Sequence, residues 1–450
     1  MKLLDDRRFR FGFAVVALFT VFAGDAWRYS ISWYGFGAVT AILAILSVVI
    51  LVRDRARWSI GGLPYPLTAF LALATLSLAW SFYPGATALG LLATWLTAIA
   101  GLAIAVSLDW TALLRALGWA LRIVIGGSLL FELIVSVFVR APLLPFFPSP
   151  GVDYADYDKL PQLFYWSRNL LFEGDKIQGI VGNSSLLGFM ALLGLIVFGV
   201  QVAARSVGRA SGLIWFGIAA LVVYLTRSAT ITIAIVALVA LVLAVLLVRR
   251  ASTVRARRLT YVALTTLVVA GAIGAVLLRS QVLLALGKTD TLTHRTTIWS
   301  NVIDLAQERP VFGWGWVSYW APWVAPFDSL AFNSGVRQLH AHNAWLDIWL
   351  QLGIVGLIVF GALVLSTLVR SWLIATDRPI VGVGRTRDYS AATLLPLLIV
   401  AALVIQSLAE SRLIVEYGIL LLVVFAVKTR RLEAVEALHA EAALARARNP

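Results

Sequence analysis

Cysteine is absent from this chain of 450 residues, and charged residues make up only 13% of it. Without cysteine there are no disulfides, no thiolate catalysis and no cysteine-based metal site, while the redox compartment stays open. The scarcity of charge and the 60% of hydrophobic residues are typical of apolar runs of about twenty residues that cross a hydrocarbon core. The basic start leads into residues 11–23 without a small-residue cleavage site, so we expect a first membrane span there and no cleavable signal peptide.

The net charge of +14 could suggest nucleic acid as a partner. The basic residues, however, stand in short clusters between apolar runs, where a topology signal places them, and this pattern argues against nucleic-acid binding. If the N-terminus is cytoplasmic and the chain has twelve spans, every basic cluster falls on the cytoplasmic side. The predicted spans are 11–24, 33–52, 67–82, 88–108, 116–138, 180–203, 211–226, 230–248, 260–278, 344–369, 391–408 and 413–427.

The sequence therefore predicts an all-α polytopic membrane protein with about 12 transmembrane helices. Residues 1–427 form a single transmembrane domain, from which two long loops, 139–179 and 279–342, face outward. Residues 428–450 are expected to be a cytoplasmic tail, in which apolar residues at helical spacing between 432 and 444 predict a surface helix.

Polar and aromatic residues concentrate in the segment 293–356, which carries three of the four histidines. Apolar residues at helical spacing predict a helix within the larger loop, ending at about Glu308 and lying along the membrane interface. Pro310 ends this helix, and the glycines of VFGWGW allow a tight backbone bend. The apolar face consists of Ile298, Trp299, Val302, Ile303, Leu305 and Ala306.

Two arginines at the predicted outer surface could bind an anion, because a guanidinium is always charged and binds phosphate with two donors. Arg227 lies in the short turn between the seventh and eighth spans, and Arg295 opens the loop helix. Other interpretations stay open. Arg227 could extend to the membrane surface or form a structural ion pair with Glu132, and Arg295 could be a solvated charge.

His340 and His342 stand at the entrance to the tenth span. A histidine there could be a general base, since an unperturbed pKa of about 6.5 leaves it neutral at physiological pH, or it could be structural. The pair could also bind a metal, but no third ligand has suitable spacing nearby, so we expect no metal site. A weaker metal candidate is the acidic triple of the first outer loop, which consists of Asp153, Asp156 and Asp158.

Two further polar positions have a structural and a functional interpretation. Asn183, next to Gly182 at the outer start of the sixth span, could cap a helix or contact a substrate. The tryptophans of the large loop, Trp299 among them, could form an interfacial aromatic belt or stack on sugars.

In this order the motifs resemble the O-antigen ligase and O-antigen polymerase superfamily of bacterial cell-surface glycan enzymes. The resemblance is strongest over residues 170–370. It departs from the family in the arginine turn, which has Ser-Ala where glycine is frequent, and at His294, where glycine is common. The matching stretches are GNSSLLG from Gly182, TRSAT around Arg227, HRTTIW and ERPVFGWGW in the loop, and HNAWLDIWLQLGIVG from His342.

The resemblance implies a multispanning, lipid-sugar-dependent glycosyltransferase on the outer face of the bacterial cytoplasmic membrane. It would transfer a glycan from undecaprenyl diphosphate to a hydroxyl of a glycan, lipid or wall-polymer acceptor, without a cofactor or a metal. Arg227 and Arg295 would neutralise the diphosphate, and His342 would deprotonate the acceptor, with inversion at the anomeric carbon if attack is direct. The substrate-binding residues that we expect are Asn183, Asn343, Trp299 and His340.

The sequence does not separate a ligase from a polymerase. A different hypothesis is a transporter of a lipid-linked sugar, in which the same arginines bind diphosphate without catalysis. That hypothesis expects polar residues along several spans and broken helices in inverted symmetry, which we do not find in the sequence. The interior spans carry few polar residues, notably Arg122, Glu132, Gln351 and Gln406.

Overall fold

The computed structural model describes residues 6–148, 154–278, 281, 290–333, 336–377 and 389–430. Within these ranges the chain forms α-helices and one antiparallel ribbon, β1 (Phe332–Asn333) with β2 (Val336–Arg337). The helices are α1 (Arg7–Phe22), α2 (Gly24–Arg53), α3 (Tyr65–Leu76), α4 (Pro84–Ser107), α5 (Trp110–Ile134), α6 (Ser184–Ala203), α7 (Arg209–Thr226), α8 (Ala229–Arg250), α9 (Val254–Leu277), α10 (Asp290–Glu308), α11 (Ala344–Thr376), α12 (Leu394–Ser407) and α13 (Glu416–Arg430).

A helix overlaps each predicted span, and the prediction of a helical, multi-pass membrane protein is confirmed. In the described part of the chain, seven helices are long and apolar enough to cross a membrane. α3 has only 12 residues and α12 only 14, so the count of twelve spans stays a prediction. The seven helices are Gly24–Arg53, Pro84–Ser107, Trp110–Val139, Ser184–Ala203, Arg209–Thr226, Ala229–Arg250 and Ala344–Thr376.

Several sequence predictions lie outside the described residues. They concern Asp153, of the acidic triple, and the tail helix expected between 432 and 444. Asp156 is described only in its backbone.

Basic residues near the ends of several helices gather at one end of the bundle: Lys428 near the end of α13 donates to the carbonyl of Leu108 after α4, and Arg430 lies over the ring of Tyr65 at the start of α3. There, buried Arg10 on α1 pairs with Asp54 after α2 at 2.7 Å. Arg249 on α8 donates to the carbonyl of Ala375 at 2.7 Å. We call this end of the bundle the basic end. The opposite end carries the long loops, and we call it the loop end. The gathering of basic residues agrees with the charge asymmetry expected of a membrane protein.

α11 bends sharply at Gly353, whose φ of 67° is disfavoured for any other residue. A Cβ atom at this position would lie 2.1 Å from the carbonyl oxygen of Val311. The amides freed by the bend find partners in the large loop: Ile354 donates to Pro310 at 2.8 Å, and Val355 donates to Val311 at 3.2 Å. The loop therefore replaces helical hydrogen bonds that the bend removes.

The large loop is anchored in the helical bundle by Trp316, which is fully buried. Its indole nitrogen donates to Thr94 Oγ1 at 2.9 Å, and its backbone amide donates to Ser77 Oγ at 3.0 Å. The Gln351 side chain accepts from the amides of Val317 and Ser318 at 2.8 and 2.9 Å. Gln351 thus anchors the loop to α11, and both of these hydrogen bonds are accepted by its Oε1 atom.

The predicted loop helix is confirmed as α10, which ends at Glu308. Its apolar face is buried at Ile298, Val302 and Ala306. That face packs on the core of the loop itself, beside Trp320 and other buried side chains, so its apolar side chains contact protein. The position of the helix along a membrane interface stays a prediction. The predicted bend after it is confirmed: the two glycines of VFGWGW, Gly313 and Gly315, have φ of 68° and 111°.

Candidate active site at the loop end

His342 lies immediately before the cap of α11, with a φ of 51° in the left-handed region. Such a conformation in a non-glycine residue costs on the order of 1–3 kcal/mol and is kept where surrounding contacts hold it. The His342 amide donates to His340 Nδ1 at 3.0 Å. Its ring nitrogens face Glu410 and Gln338: Nδ1 lies 3.1 Å from Glu410 Oε2, and Nε2 lies 3.2 Å from Gln338 Oε1.

Glu410 lies in the turn between α12 and α13, and the sequence analysis did not single it out. Its second oxygen accepts from Arg295 Nη2 at 3.3 Å. Burial opposes ionisation, but the hydrogen bond from His342 and the electrostatic attraction of His342 and Arg295 outweigh it and lower the pKa of Glu410 to about 2. Glu410 is therefore an anion at neutral pH and can only accept hydrogen bonds, so a proton resides on His342 Nδ1.

His340 lies behind His342, with ring centroids 4.0 Å apart. Burial, and then the neighbouring charge of His342, lower the pKa of His340 well below its ordinary value of 6.5. The ring is also edge-on to Tyr319, at 5.4 Å. Because His340 is neutral and its Nδ1 is used by the His342 amide, it supports the backbone of His342.

A second group of charges adjoins this cluster. Arg412 forms an ion pair with Glu416, and Glu416 pairs also with Arg28 at the start of α2. Arg28 in turn holds Asp25 at 2.8 Å. The Arg412 guanidinium lies over the Tyr319 ring at 5.4 Å, which links the two groups. The fold thus brings together, at the loop end, opposite charges from α2, from the turn between α12 and α13, and from α13.

Asp347, in the first turn of α11, ties the histidine segment to the turn of Glu410. Its Oδ2 accepts from the Ala341 amide at 3.1 Å and from the Ser411 hydroxyl. Asp347 is fully buried. This contact fixes the positions of His340 and His342 relative to the last turn.

Arg227 ends α7 in the left-handed region, with a φ of 46°. Its side chain is exposed and makes no hydrogen bond or ion pair with any residue that the structure describes. The ion pair with Glu132 that the sequence left open is not formed. Glu132 accepts instead from Ser167 and from the amides of Gln178 and Gly179.

The other predicted substrate-binding residues make structural contacts. Asn183 and Asn343 cap α6 and α11, and each side-chain oxygen accepts from two backbone amides. Trp299 Nε1 donates to the carbonyl of Ala341 at 2.9 Å, which places this indole beside the histidine segment. The structure thus groups Arg295, Trp299, Asn343 and both histidines, while Arg227 and Asn183 lie at the loop ends of α7 and α6.

His340, His342 and Glu410 could together hold a divalent cation, since their ligand atoms all lie within 4.8 Å of one another. The expectation that the histidines lack a third ligand is therefore wrong: Glu410 supplies it from 68 residues further along the chain. A bound cation would have to displace the contact between His342 and Glu410. The positive charge of Arg295, on the same carboxylate, opposes such binding.

The fold and the site define a class of protein: a multi-pass helical membrane protein in which a partly buried charged cluster lies under a folded loop. Residues 212–361 match the family described as "O-Antigen ligase". The chain is also 31% identical over 199 residues to the "Exopolysaccharide production protein ExoQ" of Rhizobium meliloti (strain 1021). That match covers 40% of this chain and 43% of the relative, so it spans less than half of each.

Both matches support the resemblance to the O-antigen ligase and O-antigen polymerase superfamily that the motifs predicted. The matched stretch contains Arg227, Arg295 and His342. Asn183 lies before it and Glu410 after it. The sequence does hold a signal for Glu410: the short turn between the last two apolar runs carries three charges, Glu410, Arg412 and Glu416, and charges beside membrane spans mark functional positions.

Proposed function

We propose that this protein is a glycosyltransferase that moves a glycan from undecaprenyl diphosphate to an acceptor hydroxyl on the outer side of the cytoplasmic membrane. The observation that carries the proposal is the contact between His342 and Glu410, with Arg295 on the same carboxylate. A base and a cationic group are what transfer from an activated diphosphate needs.

His342 Nε2 is the proton acceptor in this proposal. Because Glu410 holds the proton on Nδ1, the lone pair of a neutral ring lies on Nε2. In the structure Nε2 faces the acceptor oxygen Gln338 Oε1 at 3.2 Å, a contact that needs a hydrogen on Nε2. The neutral ring lacks that hydrogen, so an acceptor hydroxyl, which can donate, would take the place of Gln338 beside Nε2. As the hydroxyl attacks the anomeric carbon, its proton passes to Nε2, and Glu410 stabilises the resulting imidazolium.

Arg295 and Arg227 serve the leaving diphosphate. The Arg295 side chain is 28% exposed and contacts Glu410 through one nitrogen, so its other donors can reach a phosphate. Arg227 is exposed, and its guanidinium is unpaired within the described part of the chain. Two cations that bind phosphate bidentately can stabilise the charge that develops as the glycosidic bond breaks. A direct displacement inverts the anomeric carbon, and no metal is needed for it.

The test uses purified protein, a lipid-diphosphate glycan of known anomeric configuration and an acceptor. Transfer is measured by release of the lipid diphosphate, and the configuration of the new linkage is read by NMR. The proposal expects turnover with inversion. Retention of configuration would exclude direct attack by the acceptor, and absence of transfer despite donor binding would favour a carrier.

A transporter is the second candidate, and the interior polar residues speak against it. Gln406 binds Tyr417 at 2.8 Å, Arg122 binds Gln201 at 3.1 Å, and Glu132 holds the first outer loop. These side chains already have protein partners. In proteoliposomes, a transporter would move labelled donor across the bilayer, and His342→Ala would leave that movement intact.

Between polymerase and ligase, the relative favours a polymerase, since its name associates it with exopolysaccharide production. A polymerase extends its own product, so a gel of the reaction would show a ladder of chain lengths. A ligase would give one shifted band on a lipid or wall-polymer acceptor. The acceptor therefore distinguishes two versions of the same chemistry.

A further inference from the structure

A hollow of about 400 Å³ opens at the loop end, beside the bend of α11. Its wall is held together by Trp80, whose indole nitrogen donates to the carbonyl of Phe312 at 3.1 Å. The rings of these two residues lie 5.6 Å apart. The residues that line the hollow are Trp80, Arg309, Pro310, Val311, Phe312 and Gly313.

Arg309 is the cation of this hollow. Its guanidinium lies 3.6 Å from the centre of the Phe82 ring and 5.0 Å from that of Trp314. These two rings pack edge to face at 4.7 Å, so they form a fixed support. The guanidinium makes no hydrogen bond or ion pair within the described ranges. Cation–π contacts orient it while its N–H donors stay available for an anion.

The surroundings of Arg309 are apolar and exposed. Val311 and Phe312, which line the hollow, are 48% and 51% exposed. The indole nitrogen of Trp80 is already used, which leaves Arg309 as the main polar group. A glycan subsite needs several polar groups that fix its hydroxyls. One cation beside exposed apolar side chains suits a ligand with one anionic group and an apolar body.

We propose that this hollow binds an anionic phospholipid of the leaflet at the loop end. Arg309 holds the phosphate, and an acyl chain lies along Val311 and Phe312. This proposal is independent of the transfer reaction. The hollow and His342 lie at opposite ends of the first segment of α11, residues 344–352, so the lipid would bind the loop without entering the active site.

The test is native mass spectrometry of the full-length protein in detergent, titrated with phosphatidylglycerol or phosphatidylcholine. We expect phosphatidylglycerol to bind more tightly. Arg309→Gln should weaken its binding about fivefold, the effect typical of one surface arginine on an anionic lipid. Arg309→Lys should keep most of the binding, because the attraction is to the charge. Arg337→Gln is the matched control, since Arg337 is an exposed loop arginine that also lies near an aromatic ring.

Three results would overturn the proposal. The first is equal phosphatidylglycerol binding by the wild type and Arg309→Gln. The second is an equal loss in Arg337→Gln, which would indicate attraction to overall charge. The third is displacement of the lipid by equimolar inorganic phosphate, which would indicate a simple anion site. Size-exclusion chromatography checks that Arg309→Gln and Arg309→Lys elute at the same volume. If Arg309→Gln elutes differently, it has a folding defect, and the test then uses Phe312→Ser, which should lose binding.

Discussion

Removal of the imidazole in His342→Ala should stop transfer while leaving donor binding nearly intact. General-base catalysis typically contributes about a hundred- to ten-thousandfold, and the ring that is removed is the one that contacts both Glu410 and Gln338. His340 is held with Nδ1 against the His342 amide, so it cannot replace the ring of His342 without a backbone change. Donor binding depends on Arg227 and Arg295, which the substitution leaves in place.

The partner of the base gives a graded second measurement. Glu410→Gln keeps the shape of the side chain but replaces an ionic hydrogen bond to His342 by a neutral one. A hydrogen bond to a charged group contributes about 1.5 to 3 kcal/mol, which corresponds to a loss of about ten- to hundredfold in the catalytic step. We therefore expect the order wild type, Glu410→Gln and His342→Ala, with His340→Ala close to the wild type.

The assay follows single-turnover transfer from a radiolabelled lipid-diphosphate glycan at saturating donor, with donor affinity measured separately by filter binding. Protein in detergent is checked by size exclusion before use. A deficit below about tenfold for His342→Ala in folded protein would refute the assignment of the base. A severe loss in His340→Ala with a mild one in His342→Ala would move the base to His340 and leave the arginines in their roles.

Arg227→Ala and Arg295→Ala should each weaken donor binding as well as turnover, and the lysine variants should recover only part of it because lysine lacks the bidentate fork; unchanged donor affinity would contradict this. Transfer should survive EDTA, and loss of turnover that is restored by a divalent cation would show that transfer uses a metal, held either by the histidine–glutamate cluster or by the acidic residues of the first outer loop. The carboxylate of Glu410, with a pKa lowered to about 2, contributes stability that is fully present above its ordinary pKa of about 4.5 and is lost as the pH falls towards 2; Glu410→Gln should flatten this part of an acid-unfolding curve. In this cysteine-free background, a cysteine at Ser329 should react with an impermeant reagent from outside and one at Thr253 should not, and external labelling at Thr253 would overturn the topology.

The sequence predicted what depends on local pattern. The loop helix, its apolar face and the bend after it follow from periodicity and glycine spacing, and the family motifs located His342 and Arg295. The sequence did not reveal the partners, because they come together only through packing. Glu410 reaches His342 across 68 residues, and Arg28 reaches Glu416 across 388 residues.

For a related reason the sequence did not show what the apolar face of α10 contacts. An apolar stripe shows that a helix buries one face, but it does not show what covers that face. Here the cover is the loop's own core, with Trp320 and Phe327 stacked at 5.6 Å. The asparagine motifs were ambiguous in the same way, since a cap and a ligand contact use the same side-chain oxygen.

The bend at Gly353 has a consequence for biogenesis. The amides of Ile354 and Val355 are completed by carbonyls of Pro310 and Val311, and an unsatisfied amide at membrane depth costs several kcal/mol. Pro310 and Val311 leave the ribosome before α11, so their carbonyls have no partner until Ile354 and Val355 are made. α11 in turn reaches its lowest free energy only when these carbonyls accept from its two amides. Insertion of this helix and closure of the loop are therefore one cooperative event. A ribosome stalled before Val355 would leave the loop undocked and accessible to protease.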